Sequence, residues 1–294
     1  MVKQIDVANR KGGTGKSENA IHIAVYLAQY QNKKVLLIDE DGSNCTLSTQ
    51  LIKTERDPLE MQGIKPSVHP NFEQLSTTYP EWDGISSCAS IFLEEEPVVP
   101  YPTYIDKLDL LPAYSSALNQ IEGTHRNLIK KNIFEKYRDW KNSEALQKAY
   151  DYIVVDHAPT KTNIGDGTLN ESDGLVIPIQ ARAGDINGMK VMLQFWTQIN
   201  QGRTVDTPLR LLGIIINNYD GRRGVEQMIL EDVQNNAAAS KYLVPQYINA
   251  SKYLQEKSYE RSLTQEGTVF DLPDSNKIKQ KLISVCDHIY KGVK

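Results

Sequence analysis

Lys11-Gly12-Gly13-Thr14-Gly15-Lys16-Ser17 decides the reading of this 294-residue chain. Three glycines let the backbone turn tightly, so that successive N–H groups converge on one point and can cradle a polyphosphate. Lys16 at the end of such a loop reaches the β- and γ-phosphates. Ser17 offers its hydroxyl to Mg2+, and the helix that follows contributes the positive end of its dipole. The ordinary phosphate-loop pattern starts with a glycine where this chain has Arg10, and it has no counterpart of Lys11. A second lysine is superfluous in a simple cradle, but at the start of the loop it can reach a phosphate across a subunit interface.

The flanks supply the context that such a loop requires. Residues 2–8 read as a short strand, with Asp6 an odd residue for a buried position. Residues 17–31 read as a helix, with Ala20, Ile23, Ala24, Leu27 and Ala28 on one face. Residues 34–39 form an apolar run ending in Asp39, the mark of a buried parallel strand. Strand, loop, helix and strand make a βαβ unit. Further strands are expected over 107–112, 151–156, 174–179, 209–216 and 243–249. Helices are expected over 127–150 and near 184–200 and 224–239. The whole predicts an α/β fold of three layers, a doubly wound, mostly parallel sheet with helices on both faces and the ligand at the carboxyl ends of the strands. One domain over residues 1–294 is expected, with an insertion at about 53–102 and a C-terminal helix at about 276–291. The insertion is rich in Pro, Ser, Thr and acidic residues, including the run Glu94-Glu95-Glu96-Pro97. It reads as a partly helical excursion, either a lid or partner surface or a plain surface loop.

Two further features carry chemistry. Residues 151–156 end in Asp156, placed at the carboxyl end of a strand where a Mg2+-bound water and the Ser17 hydroxyl would meet it. Asp39 and Asp41 lie two apart at the end of another strand, so both can face the phosphates. One can serve the metal shell and the other can orient an attacking water.

Composition narrows the classes. The chain is 40% hydrophobic and 24% charged, ordinary values for a globular protein. No window approaches 18 apolar residues and the first strand starts at once, so neither a membrane span nor a signal peptide is expected. Cys45, Cys88 and Cys286 have no metal-binding spacing and read as reduced, buried thiols of a cytoplasmic protein. A net charge of −4 argues against a chain that coats nucleic acid wholesale, though not against a local basic face.

Residues 11–17, 36–41, 108–113, 150–159 and 212–220 match, in order, the blocks of the ParA/MinD class of deviant Walker A ATPases, and the chain resembles that family over most of its length. The resemblance implies ATP and Mg2+ as cofactors, an ATP-sandwich homodimer, slow hydrolysis stimulated by a ParB-like or adaptor protein, and nonspecific DNA binding that places the ATP-bound form on the nucleoid. It implies that Lys11 crosses the dimer interface and that Gly12, Gly13, Thr14, Gly15, Lys16 and Ser17 hold phosphate. It also gives Ser17, Asp39 and Asp156 to the metal, with Asp39 in its outer shell, and Asp41 to the attacking water. Asn217 and the segment after Pro245 would line the adenine. Three departures stand out: Glu18 follows Ser17 where a Thr is usual, Gly42-Ser43-Asn44 replaces a Pro-Gln-Gly run, and His157 stands where Thr or Cys is common. With the loop so close to the start, no N-terminal helix-turn-helix domain is expected.

The surface leaves alternatives open. Residues 241–294 hold nine Lys/Arg against six Asp/Glu, and 126–148 hold seven against three. Arg222, Arg223, Lys252 and Lys257 are the candidate DNA contacts, although a basic run is also what a solvated face looks like. Ile278, Leu282, Val285, Ile289 and Val293 make the last helix amphipathic. That pattern fits a membrane anchor of a MinD-like cycling ATPase or, preferred here, a helix packed on the core. A metabolic phosphate-loop enzyme of the dethiobiotin synthetase kind is the third reading.

Overall fold

The computed structural model describes residues 1–93, 96–123 and 126–294. Glu94 and Glu95 of the acidic run lie outside the described residues, as do the side chains of residues 126–131 in the basic stretch. The strands are β1 (Lys3–Val7), β2 (Val35–Asp39), β3 (Thr54–Arg56), β4 (Ile64–Pro66), β5 (Tyr101–Pro102), β6 (Leu108–Leu111), β7 (Tyr152–Asp156), β8 (Gly174–Gln180) and β9 (Arg210–Asn217). The helices are α1 (Lys16–Val25), α2 (Thr46–Leu51), α3 (Phe72–Leu75), α4 (Ser115–Gly123), α5 (Arg126–Lys141), α6 (Glu144–Ala149), α7 (Asn163–Asn170), α8 (Ala183–Gln201), α9 (Gly224–Asn235), α10 (Lys252–Thr264) and α11 (Lys277–Val293).

Seven strands form one sheet in the order β5-β6-β2-β7-β1-β8-β9. All neighbours are parallel except β5, which runs antiparallel to β6. Because side chains alternate along a strand, each apolar run feeds two cores. Val35 and Leu37 of β2 pack with α1 and α11, whereas Leu36 and Ile38 pack with α4 and α5 on the other face. Beyond β1, the second face is filled by Ile177 and Ile179 of β8 with Met189 and Met192 of α8. This is the three-layer arrangement expected, and it brings the ends of β1, β2, β7, β8 and β9 together on one rim.

Elsewhere the structure departs from the sequence reading for identifiable reasons. The helix expected over 17–31 is α-helical only to Val25 and ends in a π turn over Tyr26–Tyr30, closed by Gln31 N–H donating to Tyr26 O at 3.2 Å. The helix expected over 127–150 is broken into α5 and α6, because the Ser143 side chain accepts from Leu146 N–H and starts a new helix. The strand expected over 243–249 runs beside β9 but makes only two isolated bridges, Ile214 with Leu243 and Tyr219 with Asn249. Pro245 has no N–H to donate and interrupts the ladder. Residues 53–102 carry more hairpin and turn than helix: β3 pairs with β4, and α3 has four residues. His69, Trp82 and Tyr101 pack together there before β5 joins the sheet edge.

In α11, Ile278, Leu282, Val285, Ile289 and Val293 are all buried against the sheet. At roughly 2 kcal/mol for each buried aliphatic side chain, freeing this face would cost on the order of 10 kcal/mol. The amphipathic pattern of the last helix is therefore spent on the core. No helix among the described residues is long and apolar enough to cross a membrane.

Candidate functional site

The loop between β1 and α1 lies at the carboxyl end of the strand flanked by β7 and β8. Gly13 and Gly15 have φ of 73° and 89°, values that L side chains rarely adopt. At Gly15 a Cβ would also lie 2.9 Å from Asn217 Nδ2. The neighbouring strands hold the loop: Asn217 Nδ2 donates to Thr14 O at 2.9 Å, and Gln180 Nε2 donates to Gly13 O at 2.6 Å. A cavity of about 850 Å3 opens over the loop and runs between α1 and α10. Gly12, Lys16, Ser17, Asp41 and Asn217 are among its walls, with Ile248, Ser251 and Leu254 opposite. Pro245 is outside this wall; Ile248 and Ser251, a few residues on, line it instead.

Lys16 is buried, and its ammonium donates to Lys11 O at 3.3 Å. Burial lowers its pKa, while Asp156 and then Asp41 oppose the shift. Asp39 and Asp156 sit side by side in the β2–β7 register, both fully buried. Asp39 is well served, since Oδ2 accepts from Ser48 N–H at 3.0 Å and Ser48 Oγ at 2.8 Å, and Oδ1 accepts from Asp41 N–H at 3.1 Å. Burial still pushes it up to about 6. Asp156 is not so served: neither oxygen has a well-formed hydrogen bond among the described residues. Burial and then Asp39 raise its pKa far above the carboxylate range, and Ser17 and Lys16 offset this only in part. Asp41 caps its own turn, with Oδ1 accepting from Ser43 N–H at 3.1 Å and Oδ2 from Asn44 Nδ2 at 3.0 Å.

An underserved carboxylate beside a serine hydroxyl is a donor set that a hard cation completes. No group of three or more His, Cys, Asp or Glu able to hold a metal by themselves occurs among the described residues. Mg2+ binds through one or two protein oxygens and the phosphates of its nucleotide, and Asp156 with the Ser17 hydroxyl beside it can supply such oxygens. The residues fit both groups.

Lys11 points elsewhere. Its ammonium pairs with Asp185 in the first turn of α8, and Asp185 Oδ2 also accepts from Gln180 N–H at 2.8 Å. Arg10, in place of the usual glycine, donates to Thr160 O at 3.0 Å and pairs with Asp166 at 2.9 Å, tying the loop to the start of α7.

Two oddities of the sequence turn out to be one feature. His157 is buried between carboxylates, with Nε2 2.9 Å from Asp6 Oδ2 and Nδ1 3.1 Å from Glu40 Oε2. The ring thereby links the ends of β1, β2 and β7. Burial works against the charged ring, but Glu40 and then Asp6 outweigh it and raise its pKa. Burial also lifts Glu40 to about 7. In the folded state Glu40 keeps its proton up to about pH 7, whereas in the unfolded chain it loses it near 4.5. His157 likewise keeps its proton above the unfolded value of 6.5. Both shifts favour folding at low pH, and that advantage is lost as pH rises through the folded values. Without nucleotide or metal, the melting temperature should fall from pH 5.5 to pH 8, and Glu40→Gln should flatten that slope. A wild-type melting temperature that rises over this range would contradict the assignment.

The candidate DNA residues are spread over two elements. Arg222 and Arg223 precede α9, where Asp220 binds Arg222 at 2.9 Å and Glu226 binds Arg223 at 3.0 Å. Lys257 on α10 pairs with Glu260 at 2.7 Å, while Lys252 is exposed over the ring of Tyr253. Three of these four cations are thus partly neutralised by their own neighbours.

Comparison with known proteins places this geometry. Residues 2–207 match a family model described as an AAA domain. The chromosome-partitioning ATPase Soj of Thermus thermophilus is 26% identical over 234 residues, 78% of this chain and 74% of its own. McdA of Cyanothece, solved in complex with ATP, aligns with a TM-score of 0.68 at 15% identity, covering 98% of this chain and 96% of McdA. A plasmid partition protein of Borrelia burgdorferi aligns with a TM-score of 0.63 at 18% identity, covering 99% and 98%.

Proposed function

The chain belongs to the ParA/MinD/Soj family of deviant Walker A ATPases and is an ATP-hydrolysing enzyme, and on that premise we propose that it is a partition ATPase that uses ATP to pair with a second copy and hold DNA. The observation that best supports this is Lys11. Its ammonium is held at the mouth of the loop by Asp185, outside the cradle that Lys16 already serves. A lysine so placed suits a phosphate bound by a partner copy.

In this reading the backbone N–H groups from Gly12 to Ser17 and the Lys16 ammonium bind the phosphates. Ser17 and Asp156 hold Mg2+, with Asp39 fixing the neighbouring loop through Asp41 N–H. Mg2+ when bound neutralises charge on the transferring phosphoryl group. Asp41 orients the attacking water and accepts its proton, and Asn217, Ile248 and Ser251 border the base. The ATP-bound pair would then present Lys252 and its neighbours twice over, doubling a weak cationic surface. The partner that stimulates release would be a ParB-like or adaptor protein.

Retention on random-sequence DNA, compared with ATP, ADP and no nucleotide, tests the proposal. Retention should require ATP and should weaken steeply with salt. DNA binding that ignores the nucleotide, or none at any salt, would refute it. Co-sedimentation with vesicles under ATP would favour membrane cycling instead.

A further inference from the structure

Glu18 places a carboxylate on the first turn of α1, one residue after the Mg2+ serine, in the wall of the cavity over the phosphate loop. An acidic residue beside a polyanion site works against binding unless it does something else. Its partner is Arg261 of α10, 243 residues away in sequence, with Nη2 2.6 Å from Glu18 Oε1. Arg261 is fully buried, and its other two nitrogens are also engaged. Nε donates to Gln50 Oε1 of α2 at 3.1 Å and Nη1 to Gly267 O at 3.2 Å. Gln50 in turn donates to Ser258 Oγ of α10 at 3.3 Å. His22, one turn along α1, lies 3.5 Å from Glu18 and packs edge-on to Phe270 just beyond α10. Burial opposes the charge on Glu18, but Arg261 and then His22 hold its pKa below the usual range. One buried cation thus ties α1, α2 and α10 together.

We propose that Glu18 and Arg261 are positioning residues that clamp α10 as the roof of the ATP cavity, so that occupancy of the cavity is transmitted to the outer face of α10. This clamp rests on the ATP-binding reading of the loop. α10 supplies Leu254, Gln255, Ser258 and Tyr259 to the cavity, so a ligand there touches α1 and α10 at once. The same helix carries Lys252 and Lys257. Breaking the ion pair leaves a buried charge without its partner, which loosens the roof rather than only changing the local field. A polyphosphate in the cavity lies against Glu18 and against the α10 residues that Arg261 holds in place, and this couples occupancy to the seating of α10.

The test uses Glu18→Gln and Arg261→Met, singly and together. Affinity is read with a fluorescent N-methylanthraniloyl ATP, turnover with ATP, and the seating of α10 by amide hydrogen exchange over residues 252–264 with and without ATP. Each single change should weaken ATP binding about tenfold, and the double change should be little worse than the worse single, since one pair is lost once. Turnover at saturating ATP should stay within about twofold. ATP should slow exchange in α10 of the wild type and fail to do so in Glu18→Gln. Glu18 is partly open to solvent and Gln keeps its shape, so this variant decides the matter if Arg261→Met does not fold. If Glu18→Gln binds ATP as tightly as wild type or more so, with the ATP response of α10 intact, Glu18 is only a repulsive neighbour and the clamp is wrong. Failure of the wild type to bind ATP would overturn the ATP-binding reading and the clamp together.

Discussion

Lys11→Ala is expected to bind ATP within about threefold of wild type and yet to remain a monomer when ATP is added. Light scattering with and without ATP reads the mass directly. The expectation follows from where the two lysines sit. Lys16 is buried in the loop with its ammonium on Lys11 O, so the cradle keeps its own cation when the Lys11 side chain is removed. The Lys11 ammonium is on Asp185, half-exposed at the rim and directed toward α8, away from the phosphate cradle. Asp185→Asn is the informative companion. It removes the charge that holds Lys11 in cis while leaving an oxygen for Gln180 N–H, and ATP-dependent pairing should then be as easy as in wild type or easier. A Lys11→Ala protein that pairs normally would remove the main support for a nucleotide shared between two copies.

Asp41→Asn is expected to bind ATP, pair, and stay on DNA, with hydrolysis slowed about a hundredfold or more, the range for loss of a general base. Asn is chosen because Asp41 has two jobs in the structure. Its oxygens accept from Ser43 N–H and Asn44 N–H, which shape the loop after β2. An amide oxygen can keep that turn, whereas Ala would remove the turn and the charge together. Phosphate release measured beside nucleotide binding separates the two effects. Normal turnover by Asp41→Asn would move the water-orienting role to another group.

What could be read from the sequence was local. The loop, the strand before it, the helix after it and the aspartates at strand ends all sit within short stretches whose residue types have one physical use. In two places where the reading went astray, a single residue intervened: Ser143 capping a new helix, and Pro245 interrupting a ladder. What could not be read was contact between distant segments. Asp6 looked odd in a strand because its partner, His157, lies 151 residues away. Glu18 looked unfavourable because Arg261 carries no mark in a polar helix that would single it out from the chain's other basic residues. In both cases the sequence showed an unfavourable residue, and the compensating group became visible only when the strands and helices were assembled.

The rims of the sheet carry a final consequence. One edge ends in β5, two residues long and finishing in Pro102; the other is shadowed by residues 243–249, which contribute Val244 N–H and Ile248 N–H to β9 around Pro245. Among the described residues, one edge is thus very short and the other is partly covered, two features that make strand addition harder. If the chain pairs with its own copies as proposed, short or covered edges disfavour growth into fibrils by sheet extension. The proposed pairing through Lys11 would use the loops at the carboxyl ends of the strands instead.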